Sequence, residues 1–244
     1  MRRATLGACQ LLLEDPELAE AIPDAQRTEA IVRCRVPTMR IARGRWTVPG
    51  DARLEDGIGL LVLEGLLIRR TGIDGRFGAE LLGEGDLLRP WQGEDAEPPL
   101  LLTAGWRALT PARVALLDAD AAATMAAWPA LTGRLVARAL ERSRNLAVNM
   151  AIVQQARVTV RIHMLLWHLA DRWGRVRPDG VIVPLALSHT VLAELVAARR
   201  PTVTGALAEL ARAGAVHPLE PGWRLSGEPP GELLVLQAVT PPAG

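Results

Sequence analysis

LALSHTVLAELVAARRPTVTGALAELARAG, residues 185–214, reads as two short helices joined by a tight turn. The first opens at Ser188, whose hydroxyl can accept a bond from a free backbone N–H at a helix start. Val191, Leu192, Leu195 and Val196 recur at helical spacing, so one face is apolar. The run breaks at Ala197-Ala198-Arg199, and a second helix begins at Arg200-Pro201, where proline's missing N–H does no harm. Val203, Ala206, Leu207 and Leu210 give it an inner stripe, and Gly214 supplies the stop. Arg199, Arg200, Thr202 and Thr204 are left facing outward near its start. A second helix that presents basic and hydroxyl side chains at its N-terminal end fits a DNA-binding helix-turn-helix. The alternative is a helical hairpin with a solvated basic end.

The residues after Gly214 favour the first reading. Ala215–Leu219 and Gly222–Ser226 read as two strands joined by Glu220-Pro221-Gly222, which makes a winged helix. The order closely resembles the winged helix of the Crp/Fnr family of bacterial transcription regulators. In that family a Leu-Thr/Ser-His-x-x-Leu-Ala helix precedes a Ser-Arg-x-Thr-Val recognition helix. Here stand Leu187-Ser188-His189, Leu192-Ala193 and Arg200-Pro201-Thr202-Val203. The close match covers the last third of the chain, and a weaker one extends over the rest.

Composition bounds the function. All 28 basic residues are arginine and 27 residues are acidic, for a net charge of +1. The distribution is uneven: residues 134–213 hold 12 arginines against 5 acids, and the remainder 16 against 22. An acidic first part and a basic later part suit a sensor joined to a DNA-binding module. No apolar run reaches the ~18 residues that span a bilayer. The start, with Arg2-Arg3 and then Glu14-Asp15, lacks a signal-peptide core, so a cytoplasmic location without membrane contact is expected. Two cysteines, Cys9 and Cys34, are too few for a four-thiolate cluster and read as inert thiols.

Residues 1 to about 30 read as helical and amphipathic. From about 30 to 120, short apolar runs such as Leu60–Leu63, Leu66–Ile68 and Val114–Leu117 alternate with Gly, Pro and Asp. That pattern predicts a β-sandwich or barrel. Leu60–Arg70 and Arg76–Leu82 read as a hairpin, with a bulge or bend at Glu64-Gly65. This region resembles the jelly-roll sensor domain of Crp/Fnr proteins, because Leu81-Leu82-Gly83-Glu84-Gly85-Asp86 matches their Leu-x-x-Gly-Asp turn. Cyclic-nucleotide-binding members then carry Phe-Gly-Glu and, later, Arg-Ser/Thr-Ala, for the ribose and the phosphate. Here the first slot reads Leu87-Leu88-Arg89-Pro90-Trp91, and the second, near Pro98 to Thr103, has no arginine. A buried phosphate without a cation is costly. A degenerate cyclic-nucleotide site is therefore expected, no cofactor is predicted, and Arg89 and Trp91 are the effector-pocket candidates. All four histidines, His163, His168, His189 and His217, follow residue 160, which argues against a metal or haem in the β-domain.

Between residues 119 and 157, Leu131, Leu135, Ala139, Leu146 and Val153 form one apolar stripe, interrupted by Arg142 and Asn149. Val136, Leu140, Ala147 and Met150 form a second. A helix with two apolar sides must bury one on its own domain and the other elsewhere. The resembling family dimerises through this helix. The first stripe, with Asn149 as a register-setting polar residue, is taken as the dimer seam. Val158–Trp173 is another amphipathic helix, and residues 175–183 form a hairpin around Pro178-Asp179-Gly180.

The expected fold class is α+β. An N-terminal jelly roll occupies 1–120, a dimerisation helix 121–157, a winged helix-turn-helix 158–228 and a tail 229–244. The function that the resemblance implies is a homodimeric, sequence-specific transcription regulator bound to an inverted repeat of double-stranded DNA. RNA polymerase and a small-molecule effector are further candidate partners. Arg200 is the base reader, with Thr204 and Gly205 on the next outward turn and Pro201 beside them. Ser188, Thr190, Arg199 and Thr202 hold phosphates, and Arg224 in the wing reaches the flanking backbone. Two rivals stand beside this reading. One is a constitutive regulator whose β-domain is a ligand-free dimerisation scaffold. The other is a β-domain enzyme, disfavoured because the chain offers no nucleophile–base pair and no metal cluster; no catalytic residue is assigned.

Overall fold

A computed structural model describes residues 6–48, 52–73, 76–91 and 103–231. The chain divides into two units, one within Met1–Arg76 and Glu80–Leu146, the other within Phe77–Ala79 and Ala147–Gly244. The first unit runs β1 (Leu6–Gln10), α1 (Leu11–Glu14), α2 (Pro16–Glu20), α3 (Asp24–Arg33), β2 (Arg35–Ile41), β3 (Gly44–Trp46) and α4 (Ala52–Glu55). It continues with β4 (Gly59–Glu64), β5 (Leu67–Ile73), the two ends of β6 (Arg76–Leu82), β7 (Leu87–Leu88), β8 (Thr103–Ala108), β9 (Ala112–Leu117), α5 (Ala119–Met125) and most of α6 (Pro129–Val153).

Two sheets form, in the orders β1-β2-β9-β4-β7 and β3-β8-β5-β6. Alternate residues of the first, including Met39, Ile41, Leu60, Val62, Val114 and Leu116, meet Trp46, Leu67, Leu82, Trp106 and Ala108 of the second in one core. The runs Leu60–Leu63 and Ala115–Leu117 are buried on both faces. Their other face packs under α1, α2, α3, α5 and the start of α6, through Leu11, Leu18, Met125, Trp128, Leu131 and Leu135. Double-sided burial is why these strands read as continuous apolar runs instead of alternating ones.

The bend expected at Glu64-Gly65 carries the chain from one sheet to the other. Gly65 has φ +90°, and a Cβ there would lie 2.5 Å from the Pro111 carbonyl oxygen. At the Gly83–Asp86 turn, the Gly83 N–H donates to the Asp86 carboxylate at 2.7 Å. That bond satisfies a side chain only 4% exposed.

The N-terminal reading needs correction. Leu6–Gln10 is a strand, not a helix, pairing antiparallel with Arg35–Met39. Long-range pairing decides a segment whose own periodicity is weak. The segment 121–157 is likewise not one helix: α5 ends at Met125, and Pro129 begins α6. Proline is comfortable in a first helical turn and breaks a helix interior. Asp15 ties this unit together twice. It caps α2 by accepting from the Leu18 N–H at 3.3 Å, and it receives both terminal nitrogens of Arg138 on α6.

The second unit holds α7 (Val158–Trp173), β10 (Arg175–Arg177), β11 (Gly180–Val183), α8 (His189–Leu195), α9 (Arg200–Arg212), β12 (Val216–Leu219) and β13 (Gly222–Leu225). Its sheet has the order β10-β11-β13-β12. Ile162, Leu165, Leu166, Leu192, Val203, Leu207, Leu210, Trp223 and Leu225 are buried, so the helices pack on one another and the hairpin closes over them. Both hairpins and both helices fall where the sequence places them.

Candidate nucleic-acid interface

The Ser188 hydroxyl accepts from the Val191 N–H at 3.3 Å, so the cap is in place. The turn after α8 needs a left-handed residue, and Ala197 provides it at φ 50°. The Ala198 N–H then reaches the Ala193 carbonyl at 2.9 Å, closing the helix end. Arg161 on α7 braces this turn by donating to the Val196 carbonyl at 3.1 Å. α9 starts after Arg199 with Pro201 in its first turn. It buries Val203, Ala206, Leu207 and Leu210 and leaves Arg199, Arg200, Pro201, Thr202, Thr204 and Gly205 exposed. Ser188 and Thr190 are exposed at the start of α8. At Gly205 a Cβ would meet nothing within 4 Å, so the surface there is open to a base edge or to a longer side chain.

His189, outside the set expected from sequence, links the two helices. Its Nδ1 lies 2.9 Å from the Thr204 hydroxyl oxygen. The Thr204 hydroxyl also lies 3.1 Å from the Arg200 carbonyl, to which it can donate. The ring also lies against Trp223, with centroids 6.3 Å apart. The start of α9 is thus fixed against α8 and β13. Arg199 and Arg200 add positive charge where the helix already presents free N–H groups. At its other end, Glu209 accepts from the Thr159 hydroxyl at 2.8 Å and from Arg157 at 3.3 Å. A residue pair fifteen positions apart, such as His189 and Thr204, gives no local sequence signal.

Arg224 does not stand free in the wing. It donates to the Asp179 carboxylate at 2.6 Å, and that bond holds the Asp179 carboxyl below its usual range. In the free chain the residue expected to reach flanking DNA is therefore paired with the β10–β11 turn. The dimer-helix residues also need re-sorting. Leu131 and Leu135 are 0% and 1% exposed within their own domain's core. The Asn149 side-chain amide donates to the Ala79 carbonyl at 3.2 Å. Leu146 and Val153 are half-buried, and Ala139 is exposed. Val136, Leu140 and Met150, at 53%, 67% and 67%, are the large apolar groups that α6 leaves in the open.

In the β-domain, Trp91 lines a cavity of about 640 Å³ together with Trp46 and Trp106. Arg89 is not part of that lining; one of its terminal nitrogens donates to the Glu55 carbonyl at 2.7 Å. The second nucleotide slot, Pro98 to Thr103, lies outside the described residues apart from the start of β8. Burial pushes the Cys9 and Cys34 thiols up, which keeps them protonated. Trp167 donates its indole N–H to His163 at 3.1 Å, and no metal-binding cluster occurs among the described residues. No helix among them is long and apolar enough to cross a membrane.

Comparison with known proteins agrees with this geometry. Residues 160–225 match the family model of the Crp-like helix-turn-helix domain. A cyclic nucleotide-binding domain containing protein from Listeria monocytogenes EGD-e superposes with TM-score 0.65 at 14% identity, over 86% of this chain and 96% of that one. The c-di-GMP responsive global regulator CLP of Xanthomonas campestris gives 0.57 at 18%, over 88% and 100%. A CRP-family transcriptional regulator from Thermus thermophilus gives 0.51 at 23%, over 82% and 94%. No curated protein sequence matches the chain.

Proposed function

We propose that this chain, which carries a Crp-like helix-turn-helix domain on the fold of the Crp/Fnr regulators, binds an inverted-repeat operator as a homodimer and regulates transcription there. The observation that carries the reading is the N-terminal end of α9. Its inner residues are buried, its outer ones are basic or hydroxylated, and His189 and Trp223 hold it in place. Laid into a major groove, such an end brings Arg200 to a base edge. Its guanidinium can pair bidentately with guanine O6 and N7. Arg199, Thr202, Thr190 and Ser188 flank it and suit phosphate oxygens, which set register without reading sequence.

A second copy supplies the second half-site. The open stripe Val136, Leu140, Ser143, Ala147 and Met150 advances in steps of four and three, the spacing of a two-stranded coiled-coil seam. The seam is therefore assigned to this stripe in place of Leu131 and Leu135. Two-fold symmetry then requires half-sites about one helical turn apart. The test is selection of bound duplexes from a random pool at near-physiological salt, with and without cyclic AMP. An inverted repeat enriched without the nucleotide is the expected result. A repeat enriched only with it restores the nucleotide site, and enrichment of single half-sites removes the dimer.

A further inference from the structure

The outward surface of α9 is poor in groups that can pair with a base. Positions 201, 204, 205 and 208 lie three or four apart, so they share one side of the helix. That side is turned away from Val203, Ala206, Leu207 and Leu210, which are buried. It carries Pro201, Thr204, Gly205 and Ala208, all exposed. Proline, glycine and alanine offer a base no polar side-chain atom. A Cβ at Gly205 would meet nothing within 4 Å, so the surface beside Thr204 is open.

The Thr204 hydroxyl is the exception, and it is already engaged. Its oxygen lies 2.9 Å from His189 Nδ1 and 3.1 Å from the Arg200 carbonyl. A hydroxyl has one hydrogen to give. Where Nδ1 is the acceptor, the hydrogen goes to the imidazole; where Nδ1–H is the donor, the hydrogen is left for the carbonyl. Either tautomer keeps the hydrogen on a protein acceptor, so none is left for the O4, O6 or N7 acceptors of base edges. A bond to the carbonyl four residues earlier is an ordinary choice for a helical threonine. The contact with His189 comes from another helix, and that ring is itself held against Trp223 of β13, with centroids 6.3 Å apart. With its oxygen held by the protein, Thr204 has its γ-methyl group left for contacts outside.

We propose that Thr204 is a specificity-determining residue that reads thymine through its γ-methyl group, and that His189 is the residue that positions it. The thymine C5-methyl is the apolar feature of the major-groove edge, and a threonine methyl is a suitable contact for it. Each half-site then holds a thymine close to the guanine that Arg200 reads. The inference rests on the regulator reading and adds to it a base preference.

The test replaces each thymine of the selected repeat in turn by deoxyuridine, which lacks only the C5-methyl, and titrates the full chain on each duplex. One thymine position per half-site should be sensitive, with about fourfold weaker binding for each methyl removed and about sixteenfold for both half-sites together. T204S keeps the hydroxyl without the methyl and should bind thymine and uracil duplexes equally. T204V keeps a methyl without the hydroxyl and should still discriminate. H189A should lose the discrimination, and H189N, whose amide can again reach the Thr204 oxygen, should restore it. A His189 that served the fold alone would, when removed, weaken both duplexes alike and leave their ratio unchanged; that result would overturn its positioning role. A selected repeat with no uracil-sensitive thymine, or a T204S variant that discriminates as the parent does, would overturn the methyl contact and leave the regulator reading intact. Failure to select any duplex would overturn that reading, and the base preference with it.

Discussion

At the scale of single residues, Arg200 and Arg199 stand side by side and should behave differently. Arg200→Ala should cost roughly 1–3 kcal/mol at the selected site and relax preference at one base pair per half-site. Arg199→Ala should weaken selected and random duplexes alike and reduce the salt slope by about one for each phosphate no longer touched. Binding titrations on both duplexes at two salt concentrations separate the two patterns. Equal losses for Arg200→Ala on both duplexes would make it a phosphate contact. Ala197 makes a prediction of another kind. Its φ of 50° is left-handed, which costs an L-residue roughly 1–2 kcal/mol. Ala197→Gly should therefore stabilise the chain, by about 0.5–1 kcal/mol once glycine's greater chain entropy is deducted. A urea midpoint that does not rise would show that the neighbouring bonds already offset the strain. The sequence revealed Ser188 and Arg200 because caps and helix starts are local signals. It did not reveal the Ala197 strain, since alanine is an ordinary helix residue and only the turn's geometry makes it costly.

Among the elements, α6 separates what periodicity can and cannot reveal. Both apolar stripes are legible at helical spacing, but spacing is silent on which one the helix turns to its own domain. The core around Leu11, Leu18 and Trp128 decides it, taking Leu131 and Leu135. Leu135→Ala should therefore cost about 2–5 kcal/mol of unfolding free energy, the usual cost of a buried leucine truncated to alanine. Leu140→Asp, at a position 67% exposed, should leave the fold of the single chain intact and convert dimer to monomer in light scattering. If Leu140→Asp stays dimeric, the seam lies elsewhere. β1 makes the same point for strands. Leu6–Gln10 owes its conformation to the register with β2, a partner about thirty residues away. Arg45 and Arg107 show it again: they are far apart in sequence, and only the pairing of β3 with β8 sets them opposite each other.

For the whole molecule, the net charge of +1 means that affinity for DNA has to come from a local concentration of charge, which the proposed dimer would double. Each phosphate neutralised releases condensed counterions, so log K falls with log salt at about −0.9 per phosphate on duplex DNA. A dimer that places two equivalent α9 ends on an inverted repeat neutralises twice the phosphates of one chain. The Leu140→Asp monomer should therefore bind a single half-site with about half the salt slope of the parent on the full repeat. It should also gain little when the second half-site is restored. Titrations from about 50 to 200 mM salt on full and half sites measure both quantities. If the variant keeps the parent's slope, one chain already spans the whole site and the two-fold model fails. If slope and half-site preference change together, the seam on α6 and the arginines of α9 act as one device: the first fixes the spacing at which the second can read DNA.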